Sequence, residues 1–230
     1  MDKPDQSQEN NQAAAPGAEN YQLRPGYWAN RPRDDKEKDW LYEDGMDWIK
    51  GYVKSREHPH RSLILKALDS LAPFGGLFEV GCNCGPNLML AREKFPGVKL
   101  AGIDLNAEAI EEGKKLLPDA DLRVGSLLQL PWGDKSFDIG ISDAAFLYVP
   151  PLEIDRALSE LNRVARKAVV MVERFDESVA GVVAGHVWAR NYPALLEKLG
   201  FRVERVKLDE ESWPHSFNWQ KFGYVFIAKR

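Results

Sequence analysis

The chain has 230 residues, 44% hydrophobic and 29% charged, which bounds it to about one domain of ordinary size with enough apolar material for a core. A net charge of -4 gives no basic footprint for nucleic acid or an anionic membrane, so the expected partner is small or neutral, with no nucleic acid and no membrane. The two cysteines, Cys82 and Cys84, are too close for a good structural disulfide and have no second pair for a zinc site, which fits a reducing compartment. The histidines offer no metal spacing beyond His58-Pro59-His60. No stretch reaches the roughly 20 apolar residues that span a bilayer, and the first residues lack the apolar centre of a signal peptide. The expected location is cytoplasmic.

In chain order, residues 1–20 are rich in Gln, Asn, Ala and Pro and read as a disordered tail. Residues 21–72 read as an N-terminal helical cap or lid. Aromatics mix with charges over 21–38, and Trp40, Tyr42, Trp48 and Tyr52 follow an irregular helical pattern over 39–54. A helix is expected over 59–71, with Leu63, Ile64, Ala67, Leu68 and Leu71 on one face. Pro73 and Gly75-Gly76 end it. Residues 73–230 then alternate strand and helix. Strands are expected at 77–81, 100–105, 122–124, 137–142, 168–173, 201–208 and 224–228, and helices at 87–95, 107–117, 152–164 and 192–199. This alternation predicts an α/β fold: a Rossmann-like three-layer sandwich, its seven-stranded sheet mostly parallel. The segment WPHSFNWQKFG between the last two strands shows no clear helix and reads as a short connection, so the last strand is expected antiparallel.

The first strand runs into Glu79-Val80-Gly81-Cys82-Asn83-Cys84-Gly85-Pro86-Asn87. Glycines at 81 and 85 let the backbone turn sharply against a ligand, and Asn83 tolerates left-handed geometry. Against a G-x-G-x-x-G dinucleotide fingerprint, Asn83 and Pro86 stand where glycines are required, which disfavours NAD and FAD. No Walker loop is present. The second strand ends at Asp104, about 20 residues beyond the turn, where a carboxylate can accept from both hydroxyls of a ribose. The alternative for Asp104 is a helix cap, a role that Asn106 can take instead.

The ordered set Glu79-x-Gly81-x-Asn83-x-Gly85, Asp104 and Pro131-Trp132-Gly133-Asp134-Lys135-Ser136-Phe137-Asp138 resembles the class I S-adenosylmethionine (SAM)-dependent methyltransferases, nearest the small-molecule subgroup of quinone-biosynthesis methylases. The likeness covers about residues 77–173, with Asn83 replacing the usual middle glycine and Trp132 a common Phe. It implies SAM as cofactor and S-adenosylhomocysteine as product. It also implies that Gly81, Asn83, Gly85 and Asn87 border the methionine moiety and that Glu79 holds the loop or the amino end. Asp104 then binds the ribose, Leu105 packs on the adenine, and Ser126 with Leu127 meets its amino edge. Residues 142–145 face the methyl group.

In-line displacement at a sulfonium carbon needs alignment and dryness more than a catalytic triad. Substrate-side candidates are Asp143, Tyr148, Glu173 and His186. Each has an ordinary reading: a turn or cap for Asp143, a core or rim aromatic for Tyr148, an ion pair with Arg174 for Glu173, and a structural ring for His186. Tyr27 and Trp28 are the best candidates for a lid, while Trp40 and Trp48 dock the segment or wall the pocket. Trp213, His215, Phe217 and Trp219 imply either a contact between two copies in a homodimer or a loop covering a hydrophobic edge. The absence of N/D-P-P-Y/F after strand four, and of a cysteine there, disfavours amino-methylation of DNA or glutamine and C5-methylation of pyrimidines. A small-molecule acceptor, methylated at O, N or C, is expected. The competing reading is a SAM- or nucleotide-binding regulatory module without catalysis.

Overall fold

The computed structural model describes residues 25–31, 47–178, 181–184 and 187–230. The expected tail, Trp40, Tyr42 and His186 lie outside the described residues. Two short helices, α1 (Pro25–Ala29) and α2 (Trp48–Lys54), precede α3 (His60–Ser70). There follow β1 (Gly76–Val80), α4 (Pro86–Lys94), β2 (Lys99–Asp104), α5 (Ala107–Leu116), β3 (Asp121–Val124), β4 (Phe137–Asp143), α6 (Ile154–Val164) and β5 (Ala165–Arg174). The chain ends with β6 (Val182–Ala184), β7 (Val187–Ala189), α7 (Tyr192–Glu197), β8 (Arg202–Lys207), α8 (Phe217–Phe222) and β9 (Gly223–Lys229).

Seven strands form one sheet in the order β3-β2-β1-β4-β5-β9-β8. Pairing is parallel from β3 to β5, while β9 runs antiparallel to both β5 and β8. This is the expected Rossmann-like layout. The strand order reverses between β1 and β4, which places a crevice above their carboxyl ends. Strand β1 is buried along its whole length, as a central parallel strand covered on both faces must be. On one face Ile64, Leu68, Leu88 and Ile110 pack with Leu77, Ile139 and Val170; on the other, Leu158, Leu161, Tyr192 and Leu196 pack with Phe78, Val169 and Phe226. Helix α3 therefore shares a core with the sheet.

Residues 187–189 form a strand of the β6–β7 hairpin, and the late helix starts at Tyr192, as expected. One expectation changes. A helix, α8, does form between the last two sheet strands. Trp213 and Trp219 are buried, stacked on each other with ring centres 4.1 Å apart, within the α3-side core. The connection thus covers a hydrophobic edge. Of the four rings singled out in this connection only His215 and Phe217 are exposed, which removes the exposed-aromatic argument for a homodimer from the two tryptophans.

Candidate functional site

At the carboxyl end of β1 the backbone enters the left-handed region three times, at Gly81 (φ 70°), Asn83 (φ 51°) and Gly85 (φ 87°). Gly81 and Cys82 both donate their amides to Ile103 O, at 2.8 and 3.0 Å, which ties the turn to the end of β2. Asn83 takes the strained middle position and caps it with its own side chain, Cys84 N donating to Asn83 Oδ1 at 2.7 Å. A Cβ on Gly81 would stand 2.6 Å from the Ala145 Cβ. Gly81→Ala is therefore expected to destabilise the chain by at least about 1–2 kcal/mol, the usual cost of a left-handed L-residue. Chemical denaturation measures it, and an unchanged midpoint would show that the turn tolerates a side chain.

Asp104 sits on this turn. Its Oδ2 accepts from Asn83 N at 2.8 Å and its Oδ1 from Asn106 N at 2.9 Å. Burial pushes its carboxyl above the ordinary value, against the pull of these backbone amides. Asn106 caps α5, Oδ1 accepting from Ala109 N at 3.0 Å, so Asp104 is not the cap. Gly125 N donates to Asp104 O, bringing 125–127 beside the end of β2. Ser126 Oγ there accepts from Leu128 N at 3.1 Å, Leu127 packs on the core, and Leu105 is half-buried.

The methionine-side candidates form a buried polar cluster. Asn87 Nδ2 donates to Glu79 Oε1 at 2.7 Å and to Asp143 Oδ2 at 3.0 Å. Glu79 is 1% exposed, its Oε2 has no partner among the described residues, and burial pushes its carboxyl up to about 8. Asp143 Oδ2 also accepts from Arg61 Nη1 at 2.7 Å and His60 Nε2 at 3.0 Å. Burial would raise this carboxyl, but the charges of His60 and Arg61 and the hydrogen bonds from His60 and Asn87 hold it well below the carboxylate range. Arg61 is fixed further by Ser55 O (2.8 Å), Ser55 Oγ (2.9 Å) and Asn87 Oδ1 (2.6 Å). Sequence reasoning missed His60 and Arg61, which α3 carries in from 83 and 82 residues away.

Glu173 is an anchor. Its carboxylate accepts from Ser142 Oγ and from the amides of Ala145, Phe146 and Leu147, between 2.8 and 3.1 Å, and burial raises it to about 7. Arg174, the partner expected for it, lies over the Trp219 ring at 5.1 Å. Arg190, fully buried, holds the same turn from its carbonyl side, donating to Phe146 O and Val149 O. Tyr148, half-buried in this turn, packs against Trp28 with ring centres 4.7 Å apart. Trp28 O in turn accepts from Asn106 Nδ2 at 3.0 Å, so α1 is pinned near the ends of both β2 and β4. Trp48 and Ile49 of α2 pack on Cys84 and Ala109, docking that helix on the turn. Both cysteines are buried free thiols. Among the described residues no group of three or more His, Cys, Asp or Glu could hold a metal ion, and no helix is long and apolar enough to cross a membrane.

Residues 77–168, which hold this turn, Asp104 and Asp143, match the family model described as a methyltransferase domain. The segment that holds the site is thus similar to methyltransferase domains. It is 25% identical to an arsenite methyltransferase of Halobacterium salinarum over 67% of this chain and 44% of that protein. It is 24% identical to a trans-aconitate 2-methyltransferase of Escherichia coli over 62% of this chain and 56% of that one. The chain thus spans about half the length of these curated relatives. In fold, the chain is similar to magnesium protoporphyrin IX methyltransferase of Synechocystis with bound S-adenosylhomocysteine: TM-score 0.61, 14% identity, 83% of this chain and 91% of that one.

Proposed function

We propose that this chain is an enzyme that transfers the methyl group of SAM to a small-molecule acceptor by in-line displacement. The observation that carries the reading is Asp104, whose carboxylate is held on the glycine turn by Asn83 N and Asn106 N. A carboxylate has about four lone-pair sites, so capacity remains for the two hydroxyls of a ribose. The rest of the site fits the same ligand. Glu79 presents a buried oxygen without a partner among the described residues, suited to an α-ammonium, and the Arg61 guanidinium beside it suits an α-carboxylate. Gly81 leaves open the volume between β1 and Ala145. Leu105, Ser126 and Leu127 stand beside Asp104 for the adenine, with the Ser126 hydroxyl hydrogen available to a ring nitrogen.

When bound, SAM supplies a methyl carbon on a positive sulfur that departs as a neutral thioether. The chain's own part is alignment and exclusion of water. Glu173 and Arg190 hold residues 144–149 rigidly beside the turn. Trp28 on Tyr148 closes the side between β2 and β4, with Tyr27 against Trp28. We assign Asp143 a positioning role through Asn87 and Arg61, and Tyr148 to the acceptor wall; His186 stays a candidate on the acceptor side.

Calorimetry with SAM, S-adenosylhomocysteine and NAD tests the reading. Binding of both sulfur compounds and not NAD is expected; NAD binding alone would reject it. A regulatory module would bind SAM without turnover in an acceptor screen that detects S-adenosylhomocysteine. The pH dependence is specific as well. Glu79, raised by burial to about 8, is mostly protonated at pH 7, and the ligand's ammonium favours its ionised form. SAM binding at pH 7 should therefore release a proton, and affinity should rise as pH climbs toward 8. Titrations in buffers of different ionisation enthalpy measure the proton count, and Glu79→Gln should abolish it.

A further inference from the structure

We propose that Trp213 is a positioning residue for the methionine end of the donor site, acting through His60 and Asp143, a role that deepens the methyl-donor reading above and rests on it. Trp213 belongs to the connection between β8 and β9, outside the matched residues 77–168. Its indole stacks on the His60 imidazole, ring centres 4.2 Å apart and planes 29° from parallel. Behind it Trp219 stacks at 4.1 Å and 16°, and the Arg174 guanidinium lies over that second indole at 5.1 Å. Four flat groups thus stand in file from Arg174, at the end of β5, to His60, at the start of α3. Both indoles are buried, so the file is packed core rather than a surface contact. The backbone beneath Trp213 is fixed as well. Its N donates to Asp209 O at 2.8 Å, and its O accepts from Gln220 Nε2 at 3.1 Å.

His60 needs that support. Asp143 Oδ2 accepts from Arg61 Nη1 at 2.7 Å and from His60 Nε2 and Asn87 Nδ2 at 3.0 Å each. One carboxylate oxygen offers about two lone-pair sites, so three donors compete for it, and the charged Arg61 holds the shortest bond. The imidazole keeps its share because the indole face stops the ring from turning away. Asn87 is the third competitor, and its Nδ2 also donates to Glu79 Oε1 at 2.7 Å. A swing of His60 off Oδ2 hands its place to Asn87, draws that amide toward Asp143 and slackens its hold on Glu79. The Glu79 oxygen that meets the ligand's ammonium then loses its fixed direction. The ribose side is held separately, Asp104 accepting from the backbone amides of Asn83 and Asn106. Loss of the stack therefore acts on one end of the donor site.

Two ligands and two variants of the full chain test this by calorimetry. SAM carries the amino acid, and 5′-methylthioadenosine lacks it. Trp213→Leu, apolar but unable to stack, should weaken SAM about 5- to 10-fold, the worth of an aromatic stack. Trp213→Phe keeps a flat ring on His60 and should weaken SAM less than about threefold. Neither should move methylthioadenosine affinity by more than about twofold. A tryptophan that serves only the fold would weaken both ligands equally or neither, and either result overturns the proposal. Because the leucine variant can fail to fold, a second measurement uses the parent chain. The indole N–H resonance of Trp213, identified by its loss in Trp213→Phe, should shift with SAM and stay in place with methylthioadenosine. Equal shifts with the two ligands, or none with SAM, overturn the positioning role. Failure of the parent to bind SAM overturns the donor reading itself, whereas SAM binding unaffected by Trp213→Leu overturns the positioning role alone.

Discussion

Asp143→Ala is expected to cost the fold on the order of 3–5 kcal/mol, the range for breaking a buried ion pair from one side. The Arg61 and Asp143 side chains are 5% and 8% exposed, and their 2.7 Å contact is the charge pair of the cluster. Removing the carboxylate strands the guanidinium and leaves Asn87 Nδ2 and His60 Nε2 each without an acceptor they now share. Asp143→Asn keeps an oxygen acceptor and should cost less. Denaturant unfolding at pH 7 measures both, and a loss below about 1 kcal/mol for the alanine variant would show that water reaches Arg61. The pH dependence has a worked sign. Asp143, His58 and His60 all have folded values below their ordinary ones, so each contributes stability that is present above its unfolded value and lost as pH falls. For the histidines that loss starts as pH drops through 6.5, and for His58 it runs to about 3. Glu79 and Glu173, raised to about 8 and about 7, act oppositely, their contribution fading as pH rises through those values. His58→Gln should accordingly flatten the acid side of the stability curve and leave the alkaline side alone.

What could be read from the sequence was whatever the chain keeps local. The turn after β1 and the acid ending β2 are short motifs next to their strands, and the structure joins them by one hydrogen bond, Asn83 N to Asp104 Oδ2. Asn106 was legible as the cap of α5 because capping is a three-residue affair. The antiparallel last strand followed from a short connection. The Asp143 cluster was not legible, because α3 delivers His60 and Arg61 through tertiary packing that no local pattern encodes; the nearest signal was His58-Pro59-His60, noticed only as a weak metal spacing. Trp213 and Trp219 stayed open between a contact surface and the cover of a hydrophobic edge because the segment WPHSFNWQKFG shows no periodicity by which to assign a buried face. Strands of three residues, such as β6 and β7, are too short for alternation to register.

Asp104→Ala should weaken SAM binding by about 1–3 kcal/mol, the worth of hydrogen bonds to a charged acceptor, or roughly 5- to 150-fold in affinity. The substitution also takes the partner from Asn83 N and Asn106 N, so a loss of affinity alone does not separate a ribose contact from a loosened turn. Ligand truncation separates them. 5′-Methylthioadenosine keeps the ribose and adenine and lacks the amino acid, so Asp104→Ala should weaken it by the same factor as SAM. Glu79→Gln should weaken SAM and leave methylthioadenosine unchanged, because Glu79 Oε2 lies at the other end of the site with only the ammonium to meet. If the two ligands lose affinity unequally in Asp104→Ala, the turn rather than the ribose has been damaged. If neither loses affinity, the ribose is held elsewhere, and the carboxylate on the glycine turn serves only to tie β1 to β2.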